Sequence, residues 1–448
     1  MVEPKVIPRD AHTVSRRDID SDALKVLYRL REGGHVAYLV GGSVRDLLLA
    51  RRPKDFDIGT SAHPSQVKKL FRNCWIIGRR FRLAHVRFGT KVVEVATFRR
   101  QVQPGEEIVQ DGVPATAPAA ADVTNESTAE DGRAERAPAV HHDNTFGTPE
   151  EDAFRRDFTI NALFYDISTF AIIDYVNGLD DLRAGIVRCI GDPEVRMIED
   201  PVRMLRAIAL AARLDFVIDP PLASAIDKLR HEIARSAPPR MLEEYYKILR
   251  AGSGEKTFRG LAAAGLLEPI SEELHHGSGD ALWSSLAALD TYRRRFSGTP
   301  DTLTNPVLLG SLLVPIGLAP QQGRTPLPES STGKRRRRPI GLKLGPLPIA
   351  RRDVERLRQL LGLQRRLHDL TASVRNQRAL THRSIFREAL TWLEIHGNAP
   401  DLVEHWVTVL AERGAEEPVM APAAEGGADT GRPRKRRRRR RKYHRPAQ

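Results

Sequence analysis

One 23-residue stretch, Tyr38–Thr60, constrains this chain more than any other part of it: Y-L-V-G-G-S-V-R-D-L-L-L-A-R-R-P-K-D-F-D-I-G-T. Its first three residues are typical of a buried strand, and Gly41 and Gly42 permit a tight turn. Ser43 to Ala50 predict a helix. A strand, a glycine turn and a helix in this order allow a phosphate group to meet backbone N–H groups at the start of the helix.

The same stretch ends in two carboxylates separated by one residue. A second short strand is predicted over Lys54–Ile58, where successive side chains point to opposite faces. Asp55 and Asp57 would then share one side while Phe56 points into the core. Two like charges this close repel unless a cation lies between them, and Mg²⁺ accepts one or two carboxylates together with substrate phosphates. The sequence therefore predicts a metal site for a nucleoside triphosphate, with Mn²⁺ as a possible substitute.

The combination of these features resembles the signature of a known family. Strand, Gly-Gly, a helix with Arg45 and Asp46, and then K-D-F-D are similar to the nucleotidyltransferase branch that holds bacterial poly(A) polymerases and CCA-adding tRNA nucleotidyltransferases. The resemblance implies an α+β fold: a nucleotidyltransferase (polymerase-beta-like) antiparallel-sheet head followed by an all-α neck and body. It also implies two-metal nucleotidyl transfer.

Two neighbouring segments help to distinguish poly(A) polymerases from CCA-adding enzymes and to complete the predicted metal site. The block I-I-G-R-R-F-R-L-A-H-V within Trp75–Gly89 resembles poly(A) polymerases more than CCA-adding enzymes, although its alternation also suits a charged sheet edge. Glu94 is the only acid in the β-rich run K-V-V-E-V-A-T-F-R, which should pair beside the D-x-D strand. An unpaired buried carboxylate is costly, so either a metal or a cation such as Lys91 should partner Glu94. By resemblance, this strand carries the third carboxylate of the metal site.

A second motif, R-R-D-F-T-I-N-A-L, follows a low-complexity insertion. By itself the segment around it, Phe154–Phe164, would fit an amphipathic helix. The resemblance implies that Arg156 contacts triphosphate, that Asp157 lies at the active site and that Asn161 orients its neighbours. Whether Asp157 meets a metal, a ribose or an arginine stays open.

A third motif, E-D-x-x-R, lies in a predicted helix over Ile198–Arg213. Glu199, Asp200 and Arg203 would stand at spacings that also suit ordinary ion pairs within a helix. In the family, this motif reads the nucleotide: the Asp accepts from an exocyclic amine and the Arg donates to a ring nitrogen. Both branches share it, so it does not separate an enzyme that uses ATP alone from one that uses CTP and ATP.

Charge and cysteine content indicate the class of binding partner and the cellular compartment. The formal charge is +14, but residues 431–448 carry 11 Lys or Arg and residues 334–338 carry 5, so the rest sums to −2. Such runs do not fold and commonly bind polyanions, although a solubilising or localisation tail is an alternative. Two cysteines, Cys74 and Cys189, suit the reducing cytoplasm, and no segment is long and apolar enough to span a membrane. The predicted RNA contacts are Arg79, Arg80, Arg82, Lys334, Arg335, Arg336, Arg434, Lys435, Arg436, Arg437, Arg438, Arg439, Arg440, Arg441 and Lys442.

The chain length predicts several domains. We expect a disordered N-terminus over residues 1–20, a head over 21–190 with a disordered insertion at 101–144, and a helical neck over 191–275 for nucleotide recognition and RNA binding. A helical body over 276–413 with a loop at 321–347, and a disordered Arg-rich RNA-binding tail over 414–448, complete the expectation.

The family resemblance leads to one functional hypothesis and two alternatives. The expected reaction adds AMP from ATP to single-stranded RNA 3′ ends, with tRNA as a possible substrate and RNA-degradation machinery as a possible partner. The alternatives are a tRNA nucleotidyltransferase that adds all or part of CCA, and a non-catalytic RNA-binding protein. The catalytic candidates are Asp55, Asp57, Glu94 and Asp157, the first three as metal ligands. The nucleotide-binding candidates are Gly41, Gly42, Ser43, Arg45, Asp46, Arg156, Asn161, Glu199, Asp200, Arg203 and Arg206.

Overall fold

The structure is a computed structural model of the 448-residue chain, and it describes residues 3–78, 82–101, 145–319 and 342–416. Several sequence predictions therefore lie outside the described residues. These are the insertion from residue 102 to residue 144, most of the predicted loop at 321–347, the tail from residue 417 onward, and the predicted RNA contacts at positions 79, 80, 334–336 and 434–442.

A mixed eight-stranded sheet forms the N-terminal half of the described chain, with the strand order β1-β8-β7-β2-β3-β6-β5-β4. Its pairs are antiparallel except β3 with β6, which run parallel with Ile58 opposite Val95. The strands are β1 Lys5–Ile7, β2 Ala37–Val40, β3 Ile58–Thr60, β4 Cys74–Ile77, β5 Leu83–Phe88, β6 Lys91–Thr97, β7 Leu163–Asp166 and β8 Ile172–Asp174. A small parallel pair follows, β9 Ile186–Val187 with β10 Val217–Ile218. The expected α+β class is confirmed.

Helices surround this sheet and make up the rest of the described chain. They are α1 Ser21–Glu32, α2 Gly42–Leu48, α3 Pro64–Leu70, α4 Pro149–Phe154, α5 Gly178–Ala184, α6 Pro193–Glu199, α7 Val202–Leu214, α8 Pro220–Leu229, α9 Pro238–Arg250, α10 Gly254–Ala263, α11 Glu272–His276, α12 Asp280–Arg294, α13 Asn305–Leu313, α14 Arg351–Leu367, α15 Val374–Thr381, α16 Phe386–His396 and α17 Pro400–Glu416. No helix in the described ranges is long and apolar enough to cross a membrane.

The expectation of a disordered segment over residues 1–20 is wrong for the part that the structure describes. Strand β1 pairs with β8, with Val6 opposite Ile173, and so extends the sheet at its edge. Asp20 caps α1, because its carboxylate accepts hydrogen bonds from the N–H groups of Asp22 and Ala23.

Two other element boundaries differ from the sequence prediction, and both affect the site. The strand expected over Lys54–Ile58 begins only at Ile58, so the D-x-D residues lie in the loop that enters β3. The helix expected over Ile198–Arg213 is two helices, because α6 ends at Glu199 and α7 begins at Val202. Pro201 lacks the N–H that a continuous helix would need, which explains the break.

The central sheet has a different covering on each face. One face packs against the main hydrophobic core, which continues through the helices to Trp406 of α17. On the other face, a smaller cluster packs beside the Gly41–Gly42 turn. Its buried members are Val40, Phe98, Ala153, Ala162, Phe164, Ile173 and Ile190.

Candidate active site

The Gly41–Gly42 turn joins β2 to α2 with a backbone that only glycine adopts easily. Gly41 has φ of 72° and ψ of −131°, and a Cβ added there would lie 2.9 Å from Nη1 of Arg156. The glycine therefore permits both the turn and the close approach of the Arg156 guanidinium. The predicted strand, turn and helix are present, and α2 begins at Gly42.

Sheet pairing brings the three predicted metal ligands to one place. The N–H of Val40 donates to the carbonyl oxygen of Asp57 at 3.0 Å, which sets Asp57 beside the glycine turn. On the other side, the β3–β6 register places Glu94 next to Asp57, because each residue immediately precedes a paired residue. Asp55 lies two residues before Asp57 in the same loop. Among the described residues, no group of three His, Cys, Asp or Glu side chains is already packed closely enough to hold a metal.

The protonation of Asp57 reflects this crowding. Solvent reaches its side chain, yet close surrounding protein atoms and the nearby charges of Glu94 and Asp55 raise the pKa of Asp57 to about 6, with Arg156 acting in the opposite direction. Three neighbouring carboxylates offer oxygen donors of like charge, which a hard divalent cation neutralises. The residues present therefore fit a Mg²⁺ or Mn²⁺ site.

Glu94 has a different partner from the one expected. The sequence predicted a buried carboxylate paired with a metal, Lys91 or an arginine. In the structure half of the Glu94 side chain is exposed, and it lies beside His85, with Nε2 of the histidine 3.6 Å from Oε1 of Glu94. Lys91 instead pairs with Asp20. Because Glu94 is half exposed, water can stabilise its charge and the side chain does not require a cationic side chain as partner. The same exposure leaves Glu94 accessible to a metal.

Arg156 stands over the glycine turn. Asp152 holds it through Nη2 and Nε, at 2.8 and 3.2 Å, while Nη1 donates to the carbonyl oxygen of Asn161 at 3.2 Å. Its guanidinium also lies 5.3 Å from the centre of the Phe164 ring. Burial alone would raise the pKa of Asp152, but Arg156 and Arg155 outweigh it and hold that pKa low. The charge of Arg156 is thus fixed beside Gly41, near enough to Asp57 to act on its pKa.

Arg45 and Asp46 lie beneath the turn rather than at its surface. The Arg45 side chain is buried and donates twice to Asp46, at 2.6 and 2.9 Å, and once to Oδ1 of Asn161. Arg213 of α7 donates to the other oxygen of Asp46 at 2.7 Å. Both side chains therefore hold α2 against neighbouring elements, and direct contact of Arg45 with triphosphate would require it to leave these partners.

Two more predicted nucleotide-binding residues also make internal contacts. The hydroxyl group of Ser43 is buried and donates to the carbonyl oxygen of Val40 at 2.9 Å. Asn161 lies at the end of a single 3₁₀ turn, Thr159–Asn161, which follows α4 in place of the continuous amphipathic helix. Its Oδ1 accepts a hydrogen bond from Nη1 of Arg45.

Asp157 contacts two arginines of α7. Its two carboxylate oxygens accept from Nε of Arg203 at 2.8 Å and from Nη1 of Arg206 at 2.7 Å. Burial would raise the pKa of Asp157, but these two arginines overcome that effect and hold it below its usual value. Asp157 thus orients two α7 arginines at the boundary between the sheet and the helices.

The E-D-x-x-R residues occupy the break between α6 and α7. Glu199 accepts from Arg196 at 2.8 Å and from Arg203 at 3.1 Å. Asp200 caps α6 and forms a two-pronged ion pair with Arg240 of α9, at 2.9 and 2.5 Å. Within the described parts of the chain, Nη2 of Arg203 donates to no residue, so it remains available to a ligand.

Sequence reasoning missed several residues that hold this site together. Arg240, Asp152 and Glu244 each fix a predicted residue, and Glu244 does so by accepting from Arg206 at 3.2 and 3.3 Å. Only Asp152 had a local signal, since this α4 residue stands three and four positions before Arg155 and Arg156, which follow the end of the helix. The other contacts join residues 38 or more positions apart, and no sequence spacing indicates them.

Of the remaining predicted RNA contacts, the described chain includes only Arg82, which opens the segment leading into β5. Its side chain is exposed and its φ is 24°, an uncommon value for a residue other than glycine. It lies outside the carboxylate cluster.

Comparisons with known proteins agree with this geometry. Residues 37–188 match the family model for the poly A polymerase head domain, residues 215–277 the model for a probable RNA and SrmB-binding site of polymerase A, and residues 342–442 the model for the polymerase A arginine-rich C-terminus. The poly(A) polymerase I of Salmonella typhimurium strain LT2 is 48% identical over 265 residues, which cover 59% of this chain and 53% of that protein. The chain belongs to the poly(A) polymerase and tRNA nucleotidyltransferase family.

More distant members of the family share the fold. The CCA-adding enzyme of Lactobacillus helveticus is 37% identical over 232 residues, or 52% of this chain and 50% of that protein. A crystal structure of the Bacillus stearothermophilus CCA-adding enzyme in complex with CTP covers 91% of this chain and 90% of its own, with a TM-score of 0.53 and 21% identity. The chain spans about half the length of the curated relatives it matches.

Proposed function

We propose that this protein transfers AMP from ATP to the 3′ ends of RNA without a template. The observation that carries the proposal is the convergence of Asp55, Asp57 and Glu94 beside the Gly41–Gly42 turn. The 48% identity to a protein named poly(A) polymerase I supports the choice of reaction within the family. RNA-degradation machinery remains a proposed partner, and the cytoplasm a proposed location that suits the two free, buried cysteines.

The proposed mechanism assigns a role to each part of the site. Asp55, Asp57 and Glu94 would hold divalent cations, with Mg²⁺ the proposed species. When bound, such ions activate the attacking 3′ oxygen and stabilise the leaving pyrophosphate. Arg156 is held where it meets negative charge next to the glycine turn. In this proposal, the triphosphate would lie between the turn and the carboxylates.

Nucleotide recognition would fall to the break between α6 and α7. Asp157 and Glu199 fix Arg203 with its Nη2 unused within the described chain, so that this nitrogen can donate to a base. Asp200, held by Arg240, has oxygen lone pairs that can accept from the exocyclic amine of adenine. Arg206 lies one turn further along α7 and presents a second fixed charge.

A single incubation tests the proposal against its alternatives. The full chain is given an unstructured RNA, or a tRNA ending at its discriminator base, with each labelled triphosphate in turn. Long products from ATP alone support poly(A) addition, whereas short additions of C and A to tRNA support the CCA reaction that the Lactobacillus relative's name suggests. RNA binding without incorporation would indicate a non-catalytic protein.

The metal ligands require a matched pair of variants. Asp55→Ala and Asp57→Ala should each abolish transfer while RNA affinity stays near wild type. Asp227→Ala is the control, because that aspartate is 83% exposed and pairs with Arg230, three residues further along the chain. Activity above about a tenth of wild type in either ligand variant would contradict the assignment, since removal of a ligand from a catalytic metal site costs more than 1.4 kcal/mol of transition-state stabilisation.

A further inference from the structure

The sheet has an exposed apolar area directly next to the three carboxylates. Trp75 and Ile77 of β4 are 53% and 50% exposed, and Val92 of β6 is 44% exposed. An edge strand with exposed large apolar side chains tends to aggregate, so such an area commonly marks a binding surface. We call Trp75, Ile77, His85, Arg87 and Val92 the open sheet face.

Strand pairing connects this face to the metal ligands. Trp75 pairs with His85, and His85 pairs with Glu94. Glu94 in turn lies beside Asp57 through the β3–β6 register. Paired residues on neighbouring strands point to the same side of a sheet, so these four side chains form one row that begins at an exposed indole ring and ends at a carboxylate.

The two halves of this sheet face differ in what covers them. Beside β2 and β3, the small cluster with Phe98 and Phe164 fills the face, and Arg156 stands over it. This half holds the proposed triphosphate position. Beyond β6, no described residue buries Trp75 or Ile77. The 3′ end of the RNA must reach the carboxylates from a side that the triphosphate does not occupy. The open sheet face is such a side.

Distance and charge both suit a nucleic acid strand. Neighbouring strands lie roughly 4.8 Å apart, so three spacings put Trp75 roughly 14 Å from Asp57. Stacked nucleotides are spaced about 3.4 Å along one strand, so about four of them cover this length. Arg87 lies exposed on the same face as Trp75, two residues along β5 from His85, which pairs with Trp75. An exposed aromatic ring with a neighbouring guanidinium is the usual combination for stacking bases and neutralising phosphates.

We propose that the open sheet face is the platform for the 3′ end of the RNA, with Trp75 stacking on a base a few nucleotides before the reacting terminus. This inference rests on the proposed function, since it identifies where the second substrate of that reaction lies. It concerns single-stranded RNA rather than a duplex, because only unpaired bases offer their faces to an indole ring.

The chain offers a direct optical test, because Trp75 is exposed whereas Trp283, Trp392 and Trp406, the other three tryptophans of the sequence, are buried. Titration of the full chain with a short oligoadenylate, without ATP, should quench tryptophan fluorescence. In Trp75→Phe the quenching should disappear while RNA binding, followed by the polarisation of a labelled oligonucleotide, is retained. Unchanged quenching in Trp75→Phe would overturn the proposal.

Affinity and kinetics give the second readout. Trp75→Ala should raise the KM for RNA about fivefold or more, the loss expected from one base–aromatic stack, and leave the KM for ATP unchanged. Trp75→Phe should stay near wild type. The matched control is Phe296→Ala, which removes an exposed aromatic side chain far along the chain in α12's C-terminal extension. An active Trp75→Ala enzyme with the wild-type KM for RNA would refute the platform while leaving the proposed function intact.

A loss of the proposed function would be recognised separately. If the wild-type chain incorporates no nucleotide but oligoadenylate still quenches Trp75, the proposed reaction is wrong and the RNA platform is still supported.

The acidic segment 102–144 is the alternative occupant of the open sheet face. If acrylamide quenches the fluorescence of Trp75 only after that segment is deleted, the segment binds the open sheet face and the proposal is overturned. If acrylamide reaches Trp75 in the intact chain and RNA protects it, the proposal is supported.

Discussion

At the scale of single residues, the carboxylate cluster costs the folded protein stability when no cation is present. Asp57 has a pKa of about 6, above the usual aspartate value of 3.8. The folded protein therefore holds a proton more tightly than the unfolded chain does. Its stability falls as pH rises from about 4 to about 6 and stays lower above that range.

The loss of stability on ionisation of Asp57 leads to a prediction about Asp57→Asn. The variant removes a charge that burial and the neighbouring charges of Glu94 and Asp55 disfavour, so its Tm at pH 7 in a metal chelator should exceed that of the wild type. Added Mg²⁺ should raise the Tm of the wild type more than that of the variant, because the cation binds the folded carboxylates. Thermal denaturation with and without Mg²⁺ measures both effects. A Tm difference that is the same at pH 4 and pH 7 would contradict the proposed origin.

Asp157 has a different role from the metal ligands, and its variant should behave differently. Asp157→Asn removes a charge that orients Arg203 and Arg206, so kcat/KM for ATP should fall roughly tenfold or more, as expected for hydrogen bonds to charged groups. The Mg²⁺ concentration for half-maximal activity should not change. Glu94→Gln is the comparison, since it should raise that Mg²⁺ requirement. If the two variants exchange these phenotypes, the roles of the two residues are reversed.

At the scale of elements, the break between α6 and α7 determines how the nucleotide-recognition residues are presented. A continuous helix would have placed Glu199, Asp200 and Arg203 on its surface as neighbours. The break instead makes Asp200 a cap residue that reaches Arg240 on α9, while Arg203 turns to Asp157 near the sheet. Three separate elements therefore control the geometry of one motif.

Arg240 is accordingly predicted to tune base selection. Arg240→Met removes the two-pronged pair and frees the Asp200 carboxylate, so discrimination between ATP and CTP should decrease several-fold, within the range of one hydrogen bond to a charged group. The ratio of kcat/KM values for the two nucleotides measures this effect. Arg235→Met is the control, because Arg235 pairs with Glu232 in an exposed neighbouring turn. An unchanged ratio of kcat/KM for ATP and CTP in Arg240→Met would show that base selection does not depend on the ion pair between Arg240 and Asp200.

Local sequence signals predicted the elements well where the pattern was self-contained. The strand, glycine turn and helix of residues 38–50, and the pairing of the Glu94 strand beside the D-x-D segment, follow from short-range patterns and are present. The contacts between Asp46 and Arg213, and between Asp200 and Arg240, join distant parts of the chain. Such ion pairs depend on how elements pack, which residue spacing does not encode.

The N-terminal segment shows a related limit. Residues 3–20 carry mixed charge without periodicity, and only the presence of an unpaired edge on β8 explains why Lys5–Ile7 forms a strand. An edge strand gains its hydrogen bonds from its neighbour rather than from its own composition. The sequence of the segment alone therefore gave no reason to expect it.

At the scale of the whole molecule, charge is distributed unevenly along the chain. Residues 431–448 contain 11 Lys or Arg and no acid, with Tyr443 as the only aromatic residue. This composition suits contacts with phosphates in any sequence rather than the reading of bases. The open sheet face and the tail would then differ in role, one contacting bases near the 3′ end and the other contacting backbone phosphates.

Deletion of residues 431–448 tests this division. Phosphate contacts release counterions, so the logarithm of the affinity for single-stranded RNA should fall with the logarithm of salt concentration, with a slope of roughly −0.7 per phosphate contacted. The deletion should weaken binding, flatten that slope and shorten the products, because each round of polymerisation ends sooner. Incorporation of the first nucleotide should persist, since the site residues all lie before the tail. A tail that only aids solubility predicts lower yield with the same product length, so a truncated enzyme that matches the full chain in affinity, salt slope and product length would refute the RNA-anchoring role.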